Sequence, residues 1–261
     1  METKRYRDIL DSMEREMRLA SEIFFTENAR DNYKLKGKND YVTIVDFKVQ
    51  SYLEDKLLKL IKNSTLLAEE AGLNETELGR YTWVLDPVDG TTNLFHGFNH
   101  SVISLALMEN GEIVIGAIYN PFSDEFFSAI KGCGSYLNGE KISVSNIVDF
   151  STSIIGTGTG GSRLNRKDET FEMMRYIFDH TSGIRRIGSA ALEMAYVACG
   201  RYDGFIEDGL NLWDYAAGTL IAKEAGAIVL DMHGKSITSQ KSGGIICGNK
   251  NIVNNLKRFI Y

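Results

Sequence analysis

Trp83-Val84-Leu85-Asp86-Pro87-Val88-Asp89-Gly90-Thr91-Thr92-Asn93 is the stretch on which the reading of this chain turns. An apolar, strand-like run ends in two carboxylates three residues apart, and Gly-Thr-Thr follows at once, a run that can open a helix. Carboxylates collect hard cations such as Mg²⁺. The N–H groups of a helix start collect phosphate. One short segment therefore offers both halves of a phosphate-ester site, with glycine permitting close backbone approach and threonine supplying hydroxyls. In isolation Asp-Pro and Asp-Gly are also turn dipeptides, so the choice between a tight turn and a metal site depends on the rest of the chain.

Further carboxylates stand in similar settings. Leu66-Leu67-Ala68-Glu69-Glu70 places adjacent glutamates at the end of a short apolar run. Val42-Thr43-Ile44-Val45-Asp46 and Trp213-Asp214-Tyr215-Ala216-Ala217-Gly218 each place an aspartate at an expected helix start, the second followed by small residues that permit tight packing. Singly, Glu69 and Glu70 read as solvated loop charges and Asp46 as a first-turn acid favoured by the helix dipole, a reading open to Asp214 as well. Together they form an oxygen-only set, because the four histidines and the three cysteines (Cys133, Cys199 and Cys247) are scattered. Oxygen ligation selects Mg²⁺, Mn²⁺ or Ca²⁺ over zinc. The spacing of an EF-hand is absent, and the unpaired cysteines fit a reducing compartment without a disulfide frame.

The chain has 261 residues, 43% of them hydrophobic and 25% charged, the composition of a soluble globular protein of one large or two smaller domains. A net charge of −6 without a basic run argues against a nucleic-acid backbone as a general partner. No apolar leader follows the charged start, and no run approaches ~20 apolar residues, so no membrane contact is expected and the cytoplasm is the expected compartment.

Periodicity predicts an amphipathic helix over 4–27, a polar loop over 30–40 and a second helix from Thr43 onward. Between 82 and 130 the pattern changes to strands, with a hairpin around Asn110-Gly111 and another turn at Asn138-Gly139. After about residue 145, strands at 153–157, 184–187, 202–207, 228–230 and 244–247 alternate with helices at 168–178, 190–198, 212–225 and from 250. The expected fold class is α/β, with an α+β half over 1–145, an α/β half over 146–261 and a soft boundary between them. The glycine-rich run 156–161 lacks both the P-loop lysine and GxGxxG spacing, and reads as a flexible connection.

Taken jointly and in this order, Glu69-Glu70, Asp86-Pro-Val-Asp-Gly-Thr-Thr-Asn93 and Trp213-Asp214-Tyr-Ala-Ala-Gly218 resemble the inositol monophosphatase family of metal-dependent phosphatases. Lys36-Gly37-Lys38-Asn39-Asp40, Val42 to Asp46 and Gly188-Ser189-Ala190-Ala191 are similar to further family elements, and the resemblance runs from about residue 5 to the end. It implies a layered α-β-α-β-α sandwich. It implies that Glu69, Asp86 and the Val88 carbonyl hold one metal, that Asp86, Asp89 and Asp214 hold a second, and that a third, weaker ion leans on Glu69. Two to three Mg²⁺ ions are thus expected, with Mn²⁺ as a substitute.

By the same resemblance, the Gly90 and Thr91 N–H groups bind phosphate, the Thr91 hydroxyl with Glu69 orients the attacking water, and Asp46 supports Thr91. Glu207 contacts the sugar alcohol, and Gly188, Ser189 and Ala190 line the same pocket. The implied activity is hydrolysis of inositol 1-phosphate, or a similar small phosphorylated polyol, by in-line attack of metal-activated water. Inhibition by Li⁺ and a homodimer are implied as well. Related branches use the same core on histidinol phosphate, fructose 1,6-bisphosphate or 3′(2′),5′-bisphosphate nucleotides; Thr92-Asn93-Leu94-Phe95 is closer to the inositol type than to the Lys-Glu-Phe-like run of the nucleotidases. A non-enzymatic interaction protein on this fold is the contrasting reading, against which the intact carboxylate set argues.

Overall fold

The computed structural model describes residues 2–28, 33–37, 40–71, 78–159, 166–237 and 242–260. The first amphipathic stretch forms α1 (Glu2–Ser21), which buries Ile9, Met13, Met17 and Ala20, and a separate turn of helix, α2 (Ile23–Thr26), follows a break at Glu22. The segment expected to be a polar loop is instead a hairpin over its described part, β1 (Tyr33–Gly37) against β2 (Asp40–Thr43). Its Tyr33 and Tyr41 rings pack on each other and on Phe95, a contact 54 residues further on than Tyr41 that no local pattern announces. Lys38 and Asn39 of the family-like segment lie outside the described residues.

Helix α3 (Ile44–Leu60) opens with a capping box: the Thr43 hydroxyl accepts the Val45 N–H, and the Asp46 carboxylate accepts the Thr43 N–H. Next come β3 (Thr65–Ala68), β4 (Tyr81–Asp89), α4 (Thr91–His96), β5 (Val102–Glu109), β6 (Glu112–Asn120), β7 (Glu125–Ile130), β8 (Ser135–Leu137) and β9 (Glu140–Ile142). They form a seven-stranded sheet in that order, in which β3 runs parallel to β4 and the rest is an antiparallel meander.

The second half supplies β10 (Ile154–Thr157), α5 (Lys167–His180), β11 (Gly183–Arg185), α6 (Ala190–Ala198), β12 (Gly204–Asn211), α7 (Leu212–Glu224), β13 (Ile228–Asp231), β14 (Ser242–Gly248) and α8 (Lys250–Leu256). Its five-stranded sheet has the order β11-β10-β12-β14-β13, parallel around β10 and antiparallel around β14.

Three hydrophobic clusters stack these elements into layers. Side chains of α1 and α3 pack on one face of the larger sheet, through Trp83, Leu85, Ile103, Leu105 and Leu107. Alternate residues of the same strands, Val84, Val102, Ala106 and Met108, face the other way and meet α6 and α7. Those two helices also contact Phe205, Leu210, Ile245 and Cys247 of the smaller sheet, whose far face carries Ile155, Ile206 and Ile246 against α5 and α8. The order is α-β-α-β-α, the layering implied by the resemblance. A helix between two sheets must be apolar all round, and α6 and α7 are buried over nearly their whole length. Small residues bring this layer close: a Cβ on Gly116 would stand 2.7 Å from the Ala217 carbonyl oxygen, and one on Gly218 would stand 2.8 Å from Met194 Cβ. Among the described residues no helix is long and apolar enough to cross a membrane.

Candidate active site

Successive residues of a strand face opposite sides, so carboxylates three apart in a regular strand diverge. Asp86 and Asp89 do not, because β4 carries a bulge between them. Asp86 pairs with Ser104 and Asp89 with Val102, so three steps along β4 span two along β5. Pro87, which has no N–H for the ladder, sits within the bulge. The extra residue restores the parity, and both aspartates point to the middle helical layer. Asp86 Oδ1 accepts the Val88 N–H at 3.0 Å. Asp89 Oδ2 accepts the Ser189 hydroxyl and the Ala191 N–H, each at 2.7 Å, at the N-terminus of α6.

Asp214 comes from that same layer. It is the third residue of α7 and closes a capping box with Asn211, accepting the Asn211 N–H at 2.7 Å. The cap fixes the carboxylate at the helix end that abuts β5, where the Ser104 hydroxyl reaches the Trp213 carbonyl at 3.3 Å. Glu69 follows β3 directly, and Ala68 registers with Leu85 on β4, one residue before Asp86.

The electrostatics record the convergence. Burial raises the Asp86 carboxyl well above the ordinary range, and the charges of Glu69, Asp89, Asp214 and Asp46 add to the rise. Burial pushes Asp89 up to about 6 despite its bonds from Ser189 and Ala191. Asp214 keeps some solvent access, yet burial and then the Asp89 charge raise it as well. Among the described residues these groups do not close into a ready-made cluster of three ligands. The donor chemistry nevertheless fits a hard divalent cation. Only oxygen is offered, and a cation is the group that offsets carboxylates whose nearest charges are other carboxylates.

The turn after β4 is built around Gly90, whose φ of 90° lies in the left-handed region and whose Cβ, if present, would stand 2.9 Å from the His100 carbonyl oxygen. It delivers Thr91 to the start of α4. The Thr91 hydroxyl reaches Asp46 Oδ1 at 2.8 Å and the Val88 carbonyl at 2.9 Å, so its single proton has two competing acceptors. Asp46 is fully buried, and its other oxygen takes the Thr43 hydroxyl at 2.6 Å and the Thr43 N–H at 2.9 Å. Burial raises its carboxyl, opposed by these hydrogen bonds.

Glu207 stands at a second bulge. It pairs with Ile245 and Leu210 pairs with Gly243, again three steps against two. Its carboxylate lies so close over Gly158 that a Cβ there would overlap it. The glycine run read as a flexible connection is therefore, at Gly156-Thr157, the end of β10, with the glycines making room for carboxylates; Gly160 and Gly161 lie outside the described residues. Ile206, the preceding residue, faces the opposite side, where a cavity between Met173, Met232 and Arg258 holds none of Glu69, Asp86, Asp89, Asp214 or Glu207.

Of the remaining sequence candidates, Gly188 is exposed, whereas Ser189 and Ala190 are buried and the Ser189 hydroxyl turns inward to cap α6 and hold Asp89. Two residues without an assigned role also belong to the site. Asn93 Nδ2 donates to the carbonyls of Ile187 at 2.7 Å and His100 at 2.9 Å, and so ties the Gly90 turn to the Gly188 turn. Glu193 holds the Gly188 turn from inside the protein. The last residue of the Asp-Pro-Val-Asp-Gly-Thr-Thr-Asn motif was a signal for the first; nothing local marks the second.

Residues 13–258 match the model of the inositol monophosphatase family. The chain is 39% identical over 226 residues to an inositol-1-monophosphatase of Rhizobium meliloti, covering 87% of this chain and 85% of that protein. Among solved structures it is similar to an IMPase of Thermotoga maritima, with a TM-score of 0.89, 34% identity and 97% and 96% of the two chains covered. It is likewise similar to the extragenic suppressor protein suhB of Bartonella henselae, with a TM-score of 0.88, 35% identity and 97% and 98% covered. The one-faced aspartate pair on β4, the capping aspartate of α7 and these likenesses lead to one assignment: the chain belongs to the inositol monophosphatase family.

Proposed function

We propose that this phosphoric monoester hydrolase acts on inositol 1-phosphate or another small polyol phosphate, with Mg²⁺ as its working divalent metal and Mn²⁺ as a substitute. The observation that carries the reading is the β4 bulge, which turns Asp86 and Asp89 to one face, opposite Asp214 at the third position of α7. Glu69, Asp86 and the Val88 carbonyl would hold one ion; Asp86, Asp89 and Asp214 would hold a second; Glu69 would carry a weaker third. Bound there, the cations supply neutralisation of the phosphate charge and acidification of water.

The chain's own groups do the rest. The Gly90 and Thr91 N–H groups at the opening of α4 take phosphate oxygens. With its hydrogen engaged in the bond to Asp46, the Thr91 hydroxyl turns lone pairs outward, and together with Glu69 it accepts from the attacking water and sets its line of approach. Glu207 takes substrate hydroxyls, and the exposed Gly188 backbone, just ahead of the buried Ser189 and Ala190, walls the pocket. The name of the Rhizobium relative supports inositol 1-phosphate as substrate.

The test is phosphate release from inositol, sugar, histidinol and nucleotide phosphates, with Mg²⁺ and with chelator. We expect Mg²⁺-dependent turnover, greatest on inositol 1-phosphate or a near polyol ester. Absence of Mg²⁺-dependent release from every ester would reject the enzyme reading in favour of a protein that acts by interaction alone. Preference for a bisphosphate nucleotide would reject the substrate class. Inhibition by Li⁺ and a homodimer complete the proposal; full activity in Li⁺ or a clean monomer in sedimentation at micromolar concentration would remove either part.

A further inference from the structure

Glu193 is a buried carboxyl, 1% exposed, that the chemistry above leaves unused. It lies in α6, four residues after the N-cap Ser189, and folds back toward the turn that precedes the helix. Both of its hydrogen bonds fall on one oxygen: Oε1 accepts the Ile187 N–H at 2.8 Å and the Gly188 N–H at 3.3 Å. Oε2 is buried without a hydrogen-bond partner among the described residues. It rests on β10, where a Cβ on Gly156 would stand 2.6 Å from it. A carboxyl used in this one-sided way serves as a carbonyl-like acceptor, for which a negative charge is not required. Burial pushes it up to about 8, with the Glu207 charge adding to the rise, which is consistent with a neutral acid.

The turn is gripped at both ends of one residue. Glu193 takes the Ile187 N–H, and Asn93, from the Gly90 turn, takes the Ile187 carbonyl at 2.7 Å. Gly188 follows immediately, with φ of 77° and an exposed backbone. We infer that Glu193 is a positioning residue for substrate recognition: as a hydrogen-bond acceptor it locks the Ile187–Gly188 turn in register with the Gly90–Asn93 turn, so that the pocket wall faces the polyol. The inference rests on the reading of the exposed Gly188 backbone as that wall. Asp89 takes its donors from the cap and first turn of α6, Ser189 and Ala191, rather than from Ile187 or Gly188, so loosening the Ile187–Gly188 turn acts first on substrate binding.

The experiment compares Glu193→Leu, Glu193→Gln and Gly156→Ala with the wild type on inositol 1-phosphate, alongside amide hydrogen exchange of the wild type at Ile187 and Gly188. Glu193→Leu removes the acceptor and should raise KM roughly tenfold with kcat within about threefold. Glu193→Gln keeps a carbonyl at the same place and should hold KM within about threefold. Gly156→Ala crowds Oε2 together with the Tyr202 ring and should raise KM in the same direction as Glu193→Leu. Both wild-type amides should be protected. An unchanged KM in folded Glu193→Leu, or a Glu193→Gln variant as impaired as Glu193→Leu, overturns the inference. If Glu193→Leu fails to fold, exchange at Ile187 and Gly188 as fast as in an open loop overturns it equally. A wild type inactive on every polyol phosphate would instead sink the functional reading, and the exchange measurement would still decide the lock.

Discussion

The Thr91 hydroxyl donates to Asp46 Oδ1 at 2.8 Å, joining the first turn of α4 to the first turn of α3 across 45 residues of sequence. Asp46 is at once the capping acid of its own helix and the orienting acceptor of another. Its oxygens divide the work, Oδ2 serving Thr43 and Oδ1 serving Thr91.

If that contact orients Thr91, the two residues act as a unit. Thr91→Val should lower kcat by on the order of 10²-fold. Asp46→Asn, which leaves Thr91 with a less basic acceptor, should lower it by roughly tenfold. The double variant should be no slower than Thr91→Val alone, because coupled residues are non-additive. Multiplicative losses in the steady-state rates would show that Asp46 acts by another route.

The carboxylates proposed to hold metal should oppose the stability of the metal-free protein. Asp86→Asn keeps the Oδ1 acceptor for the Val88 N–H while removing one of the mutually repelling buried charges. Mg²⁺-dependent turnover should collapse. In chelator the melting temperature should rise by about 2–4 °C for each kcal/mol of repulsion relieved. Asp214→Asn should behave alike. Near-full activity of Asp86→Asn at ordinary Mg²⁺, or a lower melting temperature than wild type in chelator, would contradict the ligand role.

Glu207 separates substrate choice from chemistry. Glu207→Gln should raise KM for inositol 1-phosphate by roughly tenfold to a hundredfold, the loss of one charge-assisted hydrogen bond of about 1.5–3 kcal/mol. A hydroxyl-poor ester such as p-nitrophenyl phosphate should be little affected. Equal effects on both esters would move Glu207 out of the polyol site.

Away from the site, Glu109 predicts an acid limb of stability. It accepts the Tyr6 hydroxyl at 2.5 Å, the Tyr81 hydroxyl at 2.7 Å and Arg80 at 2.9 Å, and so ties α1 to the larger sheet. The Tyr6 and Tyr81 hydrogen bonds, more than the Arg80 charge, hold its carboxyl down at about 2, below the ordinary value near ~4.3. A depressed carboxyl contributes stability that is complete above its unfolded pKa and is lost as the pH falls toward the folded one. Glu109→Gln should therefore cost about 1.5–3 kcal/mol at pH 7, and the gap from wild type should narrow by pH 3. Denaturant titrations with the same gap at both values would refute this.

Local chemistry was open to reading because it is written in adjacent residues. The Asn110-Gly111 hairpin, the helix starts at Thr43 and around Asp214 and the small residues after Asp214 all reflect rules that act within a few positions. The hairpin of β1 and β2 was not legible, since its polar sequence packs on a distant ring, Tyr33 edge-on and Tyr41 stacked against Phe95. Nor was the use of the glycine run, whose missing Cβ atoms matter only because Glu193 and Glu207 arrive from other elements.

By itself the sequence determined the alternation of strands and helices, the oxygen-only character of the acidic set and the motifs that identify the family, because residue type and spacing carry those directly. Only the tertiary structure decided that Asp86 and Asp89 share a face, that Ser189 turns inward and that Asn93 and Glu193 clamp one turn from two sides. The physical reason is register. A strand's side chains alternate until a bulge changes their parity, and a buried polar group takes its partner from whichever element packing brings within hydrogen-bond reach.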